Sequence, residues 1–293
     1  MPRFRAACLS FLLVAAMVIA GCHPAVRIME RYEKTDPEDP VELIPYTVNL
    51  YALDLLRNDQ DLFLVREYMS WYLNHLNYPD HLDMTGTMYD YAVFSQWEEQ
   101  SLTRYDSVDS YSATFLMVVW EYFKKTNDTE FIDRNRKALE DIAYTIPFLQ
   151  DKDGLTWALP GYLVKYLMDN CEAYGGMTAF AELARARGWA VADYYEAIRE
   201  DIEQGIVKQL YDPRLARFDW ALDEERKHSK SKWETFYPDA YAQIFPVLYK
   251  VPANDPEIRK HLWEEFNRHH GQSVATAPIE QQVVYRLTMA NRP

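Results

Sequence analysis

Gly161-Tyr-Leu-Val-Lys-Tyr-Leu-Met-Asp-Asn-Cys-Glu-Ala-Tyr-Gly-Gly176 is the stretch on which the reading of this chain turns. An aromatic-rich, extended run meets a polar knot, Asp169, Asn170 and Glu172, and a helix is expected from Ala173 to Arg187. The same device appears twice more. Asp109-Ser110-Tyr111 follows Tyr105-Asp106-Ser107, and Asp239-Ala240-Tyr241 follows Phe236-Tyr237-Pro238. An acid, one residue, then a tyrosine thus recurs from Asp109 to Glu172 to Asp239, 63 and 67 residues apart. A period that long holds two helices per unit, which predicts stacked helical hairpins presenting equivalent ends to one face.

Apolar spacing supplies the rest of the helices. Leu43, Tyr46, Leu50, Leu53 and Leu56 recur at threes and fours, as do Leu62, Val65, Met69, Tyr72 and Leu76. Asp109–Thr126 is apolar nearly all round, which marks a helix buried between layers, and its successor through Phe131, Leu139, Ile142 and Ile146 has one apolar face. The pattern of one buried and one outer helix repeats from Ala173 through Leu210 and from Asp239 through Phe266, and a last helix covers Pro278–Ala290. Trp157-Ala-Leu159 can be laid over Trp220-Ala-Leu222, as an internal repeat requires. Short hairpins are expected in the loops, one of them at Met84–Phe94.

Residues 1–22 stand apart from the fold. Arg3 and Arg5 precede the apolar run Ala6–Ala20, which is shorter than the roughly 20 residues of a membrane span. Ile19-Ala-Gly-Cys22 resembles the lipobox of bacterial lipoproteins, and that resemblance implies cleavage before Cys22 and lipid on its thiol. Residues 23–40, polar and proline-broken, read as a tether, and 41–293 as one domain. His23 in place of an aspartate after the cysteine points to a periplasm-facing lipoprotein at the outer membrane before the inner. Beyond the leader, 29 basic residues face 45 acidic ones, a net charge of −16 that repels a phosphate backbone and excludes a nucleic-acid partner. Cys171 is the one thiol left once Cys8 and Cys22 are set aside, so packing without disulfides must hold the fold.

Alternating buried and outer helices, with acids and aromatics at the inner starts, resemble the α/α toroid of the six-hairpin glycosidase superfamily. Asp106-Ser-Val-Asp-Ser-Tyr111, Tyr166-Leu-Met-Asp-Asn-Cys-Glu-Ala-Tyr174 and Tyr237-Pro-Asp-Ala-Tyr241 carry the resemblance. It implies an all-α toroid, and because nine main helices are read where six hairpins need twelve, either the ring is open or short or some loops hide helices. It also implies a glycoside hydrolase, or second to that a lyase, acting on an oligo- or exopolysaccharide, or else a non-catalytic carbohydrate-binding or assembly lipoprotein on a degenerate ring.

Glycoside hydrolysis needs one carboxylic acid to protonate the leaving oxygen and one carboxylate to activate water or attack the sugar. Glu172 is the expected acid because Asp169 crowds it and Tyr166, Met168 and Tyr174 can dry its surroundings, and Asp109 is the expected base. Asp169 and Asp239 are alternates or hydroxyl ligands, and Asp106, Tyr111, Tyr174 and Tyr241 are expected to bind the substrate beside them. Against this stands ordinary helix capping, which also places acids at helix starts. Trp97, Trp157, Trp220 and Trp233, in loops near the acids, are candidates to stack on sugar faces. Lys165 and the basic run Arg226–Lys232 are candidates to receive a uronate. His269-His270 lacks the i, i+4 spacing of a metal pair, and no phosphate loop or dinucleotide fingerprint occurs, so neither metal nor cofactor is expected.

Overall fold

The computed structural model describes residues 23–35, 40–94 and 98–292. The leader, Cys22 and Trp97 lie outside them. Among the described residues eleven α-helices form: α1 Pro24–Met29, α2 Pro45–Arg57, α3 Leu62–Asn74, α4 Val108–Thr126, α5 Thr129–Arg134, α6 Arg136–Leu149, α7 Leu167–Arg187, α8 Ala192–Gly205, α9 Ile244–Tyr249, α10 Pro256–His270 and α11 Ile279–Asn291. Wider turns extend α8 over Ile206–Leu210 and precede α9 over Phe236–Ala240.

Five of these helices make an inner ring. Helix α2 packs on α4, α4 on α7, α7 on α9, α9 on α11, and α11 returns to α2. The ring is therefore closed, not open, and it is short by one inner helix among the described residues. Its members run the same way, as paired contacts at both ends require. Thr47 of α2 donates to Glu280 of α11 and, ten residues on, Arg57 donates to the Leu287 carbonyl. Asn49 of α2 likewise reaches the Tyr111 carbonyl and Thr114 of α4. Helices α3, α6, α8 and α10 follow α2, α4, α7 and α9 as the outer layer, and Leu139, Ile142, Ile146, Ile202, Leu262 and Phe266 are the buried sides of that layer.

The closest packing in the ring joins α4 and α7. A Cβ on Gly176 would lie 2.5 Å from the Ala113 Cα, so backbone meets backbone with no room for a methyl. In an open helix interior, alanine in place of glycine gains roughly 0.5–1 kcal/mol. Here Gly176→Ala is expected to lose about 1–3 kcal/mol instead, since neither helix can yield. Urea denaturation reads that sign directly.

Helix α7 begins at Leu167, six residues before the expected start at Ala173, so Asp169 and Glu172 sit in its first two turns. Asn170 explains the difference. Its side chain accepts from the Thr156 amide (2.8 Å) and donates to the Tyr166 carbonyl (2.9 Å), clamping the first turn to the preceding loop. Arg185, Arg187 and a left-handed Gly188 (φ 69°) end the helix.

The strands gather at the end of the ring where the inner helices start. β1 (Val41–Leu43), β2 (Tyr91–Val93) and β3 (Glu99–Ser101) form one antiparallel sheet, with Leu43 opposite Tyr91 and Tyr91 opposite Ser101. β4 (Val164–Tyr166), β7 (Ala221–Asp223) and β8 (His228–Ser229) form another, and β5 (Tyr211–Asp212) pairs with β6 (Arg217–Phe218). The expected hairpin at Met84–Phe94 is in fact β2 plus an isolated bridge from Asn77 to Thr87.

The stretch read as a tether also differs. Pro24–Met29 is helical, and Ala25, Val26, Ile28 and Met29 are buried against α2 and α3. Arg27 bonds Glu67, and His23 bonds Glu99 at 2.9 Å. The short apolar pattern Ala-Val-x-Ile-Met outweighs the polar residues that follow it.

Candidate functional site

Because the five inner helices are parallel, their starts surround one cavity of about 290 Å³. Tyr46, Thr47 and Leu50 come from α2, Ser110 and Tyr111 from α4, and Met168, Asp169 and Glu172 from α7. Tyr237, Tyr241 and Phe245 come from the α9 region and Glu280 and Gln281 from α11, while Asp90 and Asp106 enter from loops. A second cavity of about 390 Å³ adjoins it, sharing Asp106, Ser107, Met168, Asp169 and Tyr237 and adding Tyr162, Tyr166, Trp220 and Pro238. Together they make a cleft with an acidic floor and an aromatic outer wall. Tyr166 and Trp220 stack with their planes 7° apart, and Tyr162 and Tyr237 are half exposed.

The acids of the floor are strongly perturbed. Glu172 is 1% exposed and its carboxyl is pushed up to about 8, by burial first and then by the charge of Asp169. Asp169 is pushed up to about 7 by burial and by Asp106. Tyr46 donates to Glu172 Oε1 at 2.8 Å, which leaves Oε2 to carry a proton. Burial raises Asp90 to about 6 although Tyr111 donates to it at 2.8 Å, and Glu280 is raised as well, again chiefly by burial. The Ser110 hydroxyl lies close enough to Asp169 and Glu172 to ease their charged forms, yet meets neither in hydrogen-bond geometry.

The cleft brings together Glu172, Asp169, Asp106, Tyr111, Tyr241 and Trp220 of the residues singled out from the sequence. Asp109 is not among the lining side chains. It is wholly buried under the floor, accepting from Thr156 Oγ1 at 2.6 Å and from the Ser110 amide, and burial with the nearby Asp169 charge holds it well above the usual carboxylate range. Asp239 accepts from the Lys232 amide and holds the turn before α9, while its neighbours Tyr237 and Tyr241 reach the cavity. Tyr174 faces away, under Arg199. Trp157 lies 4.0 Å beneath the Lys165 ammonium, and Trp233 is buried against His269.

Lys165 is 1% exposed and paired with Asp151 and Asp153 at 2.7 and 2.8 Å. Lys165→Ala would strand those two carboxylates, and is expected to cost about 3–5 kcal/mol of stability while KM stays unchanged. A rise in KM without loss of stability would instead return the lysine to ligand binding. The sequence does not single out Tyr46 or Glu280 as site residues, and it marks Asp90 only as part of a long loop, 78–107, of the kind that carries function. The visible signals were Pro45 and Pro278, helix-opening prolines that mark two further inner starts. Among the described residues no group of three or more His, Cys, Asp or Glu is arranged to hold a metal ion.

No protein-family model and no curated sequence matches the chain. Solved structures do match in fold. A rhamnosidase from Klebsiella oxytoca with rhamnose bound superposes with a TM-score of 0.56 at 15% identity, over 85% of this chain and 48% of that one. A family 76 α-mannanase of Bacteroides thetaiotaomicron gives 0.52 at 9% identity, over 90% and 76%. A sugar epimerase from a ruminal bacterium gives 0.51 at 11%, over 84% and 59%. The chain thus spans about half the length of the rhamnosidase it matches. The chain shares its α/α-toroid fold with the rhamnosidase, the mannanase and the epimerase.

Proposed function

We propose that this α/α toroid is a carbohydrate-active enzyme, a glycoside hydrolase that cleaves an oligo- or polysaccharide across the acidic cleft. The observation that carries the reading is Glu172: it lines the cavity, Tyr46 holds one of its oxygens, and its carboxyl is pushed up to about 8. A carboxylic acid that keeps its proton at neutral pH is what a departing sugar oxygen needs. Asp169 contributes the like charge that helps keep Glu172 protonated. The base role passes from Asp109, buried under the floor, to Asp106, which is exposed at the junction of the two cavities where water can reach it. Tyr162, Tyr166, Trp220 and Tyr237 would stack on neighbouring sugar units.

The test incubates the purified protein with neutral, amino and uronic oligo- and polysaccharides, then assays binding and new reducing ends. New reducing ends that disappear in Glu172→Gln support hydrolysis, and an unsaturated product would move the chemistry to elimination. Binding with no cleavage of any bound glycan would favour a second reading, a carbohydrate-binding or assembly protein. That reading draws on the inner ring of five helices, one short of the six that six hairpins supply.

We also propose that the protein is a periplasm-facing lipoprotein anchored through Cys22, at the outer membrane before the inner, on the strength of Ile19–Cys22. Cys22→Ala should move it from the membrane fraction to the soluble one. Unchanged sedimentation with membranes would remove the anchor.

A further inference from the structure

We propose that the sugar seated on the floor of the cavity carries a free, protonated amine, a hexosamine unit without its N-acetyl group. This rests on the carbohydrate reading and narrows it to a substrate class.

The floor is an excess of acid with nothing inside to balance it. Asp90, Asp106, Asp169, Glu172 and Glu280 line the cavity, and no Lys, Arg or His is among its lining residues. Two of the acids, Asp90 and Glu280, have no part in the hydrolysis outlined above. Of the basic side chains expected near the site, Lys165 pairs with Asp151 and Asp153, Lys230 and His228 with Asp219, and Arg226 with Gln209, and none of the run Arg226–Lys232 lines the cavity. Arg104 approaches Asp90 to 3.8 Å from outside the cavity and is bonded to Glu42. Carboxyls confined together raise one another's proton affinity, and a bound cation relieves that repulsion.

A second observation points to a ligand independently. Ser110 is 2% exposed, lines the same cavity and leaves its hydroxyl without a hydrogen-bond partner. Native interiors seldom leave a buried hydroxyl unpaired, and this one sits in the cavity wall beside Asp169 and Glu172. An ammonium group supplies three donors and no acceptor, and so matches a wall of carboxylates. Each competing sugar class fits less well. A uronate adds another negative charge, a neutral sugar leaves the charge unbalanced, and an N-acetyl group replaces the ammonium with a bulkier neutral amide.

The experiment titrates the full chain with D-glucosamine, D-galactosamine and D-mannosamine, each against its neutral parent hexose and its N-acetylated form. It then repeats the best case as a tetramer with its neutral and N-acetylated counterparts. At least one amine is expected to bind tenfold or more tighter than both counterparts. Glu280→Gln and Asp90→Asn should each erase much of that preference, bringing the affinity for the amine down towards that for its neutral parent. Should either variant fail to fold, the wild-type comparison still decides. Equal or tighter binding of the neutral or N-acetylated sugars overturns the amine and leaves the carbohydrate reading in place. Failure of every sugar in this panel and in the wider glycan screen overturns both.

Discussion

Glu172→Gln should lower kcat about 10²–10⁴-fold on glycosides with ordinary sugar leaving groups, the range that a positioned general acid contributes. KM should change little, because glutamine keeps the shape of the side chain and can still accept the hydrogen bond from Tyr46. The effect should depend on the leaving group. An aryl glycoside that expels an acidic phenol needs no proton, so the variant should lose far less on it. The wild-type kcat/KM should fall as pH rises through about 8, where Glu172 gives up its proton. An equal loss on both kinds of substrate would remove the acid role and leave Glu172 as a packing or binding group.

The same carboxyl should make the protein less stable in base. Glu172 is raised from 4.5 to about 8 and Asp169 from 3.8 to about 7 on folding. Between those values the folded state holds protons that the unfolded state has released. Stability is therefore full below the unfolded values and is lost as pH rises through the folded ones. Each tenfold rise in proton affinity on folding is worth about 1.4 kcal/mol, and the two carboxyls share part of their effect. Glu172→Gln is accordingly expected to be more stable than wild type by about 2–4 kcal/mol near pH 9 and by little near pH 5. Urea denaturation at the two pH values measures this. A variant destabilised equally at both would mean that burial of Glu172 is not opposed by its charge. The two results together would describe a side chain that lowers stability in exchange for reactivity.

The repeat of acid-x-Tyr at helix starts made the toroid legible, because it reports a geometry that strands or a mixed fold would not produce. The sequence could be read for three inner helices of the five. Those around Pro45 and Pro278 lack the acid-x-Tyr signal, and ring closure depends on which helix ends meet, which periodicity along one chain does not encode. The site was legible in part for a related reason. Glu172 and Asp169 follow from crowding along one helix. Asp109, in the equivalent repeat position, turns under the floor because Thr156 and the Ser110 amide are there to receive it. Tyr46, Asp90 and Glu280 reach the cavity from segments 126, 82 and 108 residues away from Glu172, a distance no local motif spans. Lys165 looks from the sequence like a ligand for anions because its partners, Asp151 and Asp153, lie in a turn whose fold-back the sequence does not reveal.

The closure of the inner ring bears on how this chain acquires its structure. The contacts that shut it, Thr47 with Glu280, Asp54 with Arg286 and Arg57 with Leu287, join residues 233, 232 and 230 positions apart. While the chain is being made, α2 has no partner on that flank until α11 emerges. Four hairpins must wait as an open layer with the apolar edges of α2 and α9 uncovered. Loop closure over such a separation is slow and exposes an intermediate to association with its neighbours. The last helix therefore acts as the keystone of the molecule. Until it docks, the cavity has no α11 wall, so the acids that crowd one another in the finished ring stay solvated and ordinary through most of synthesis.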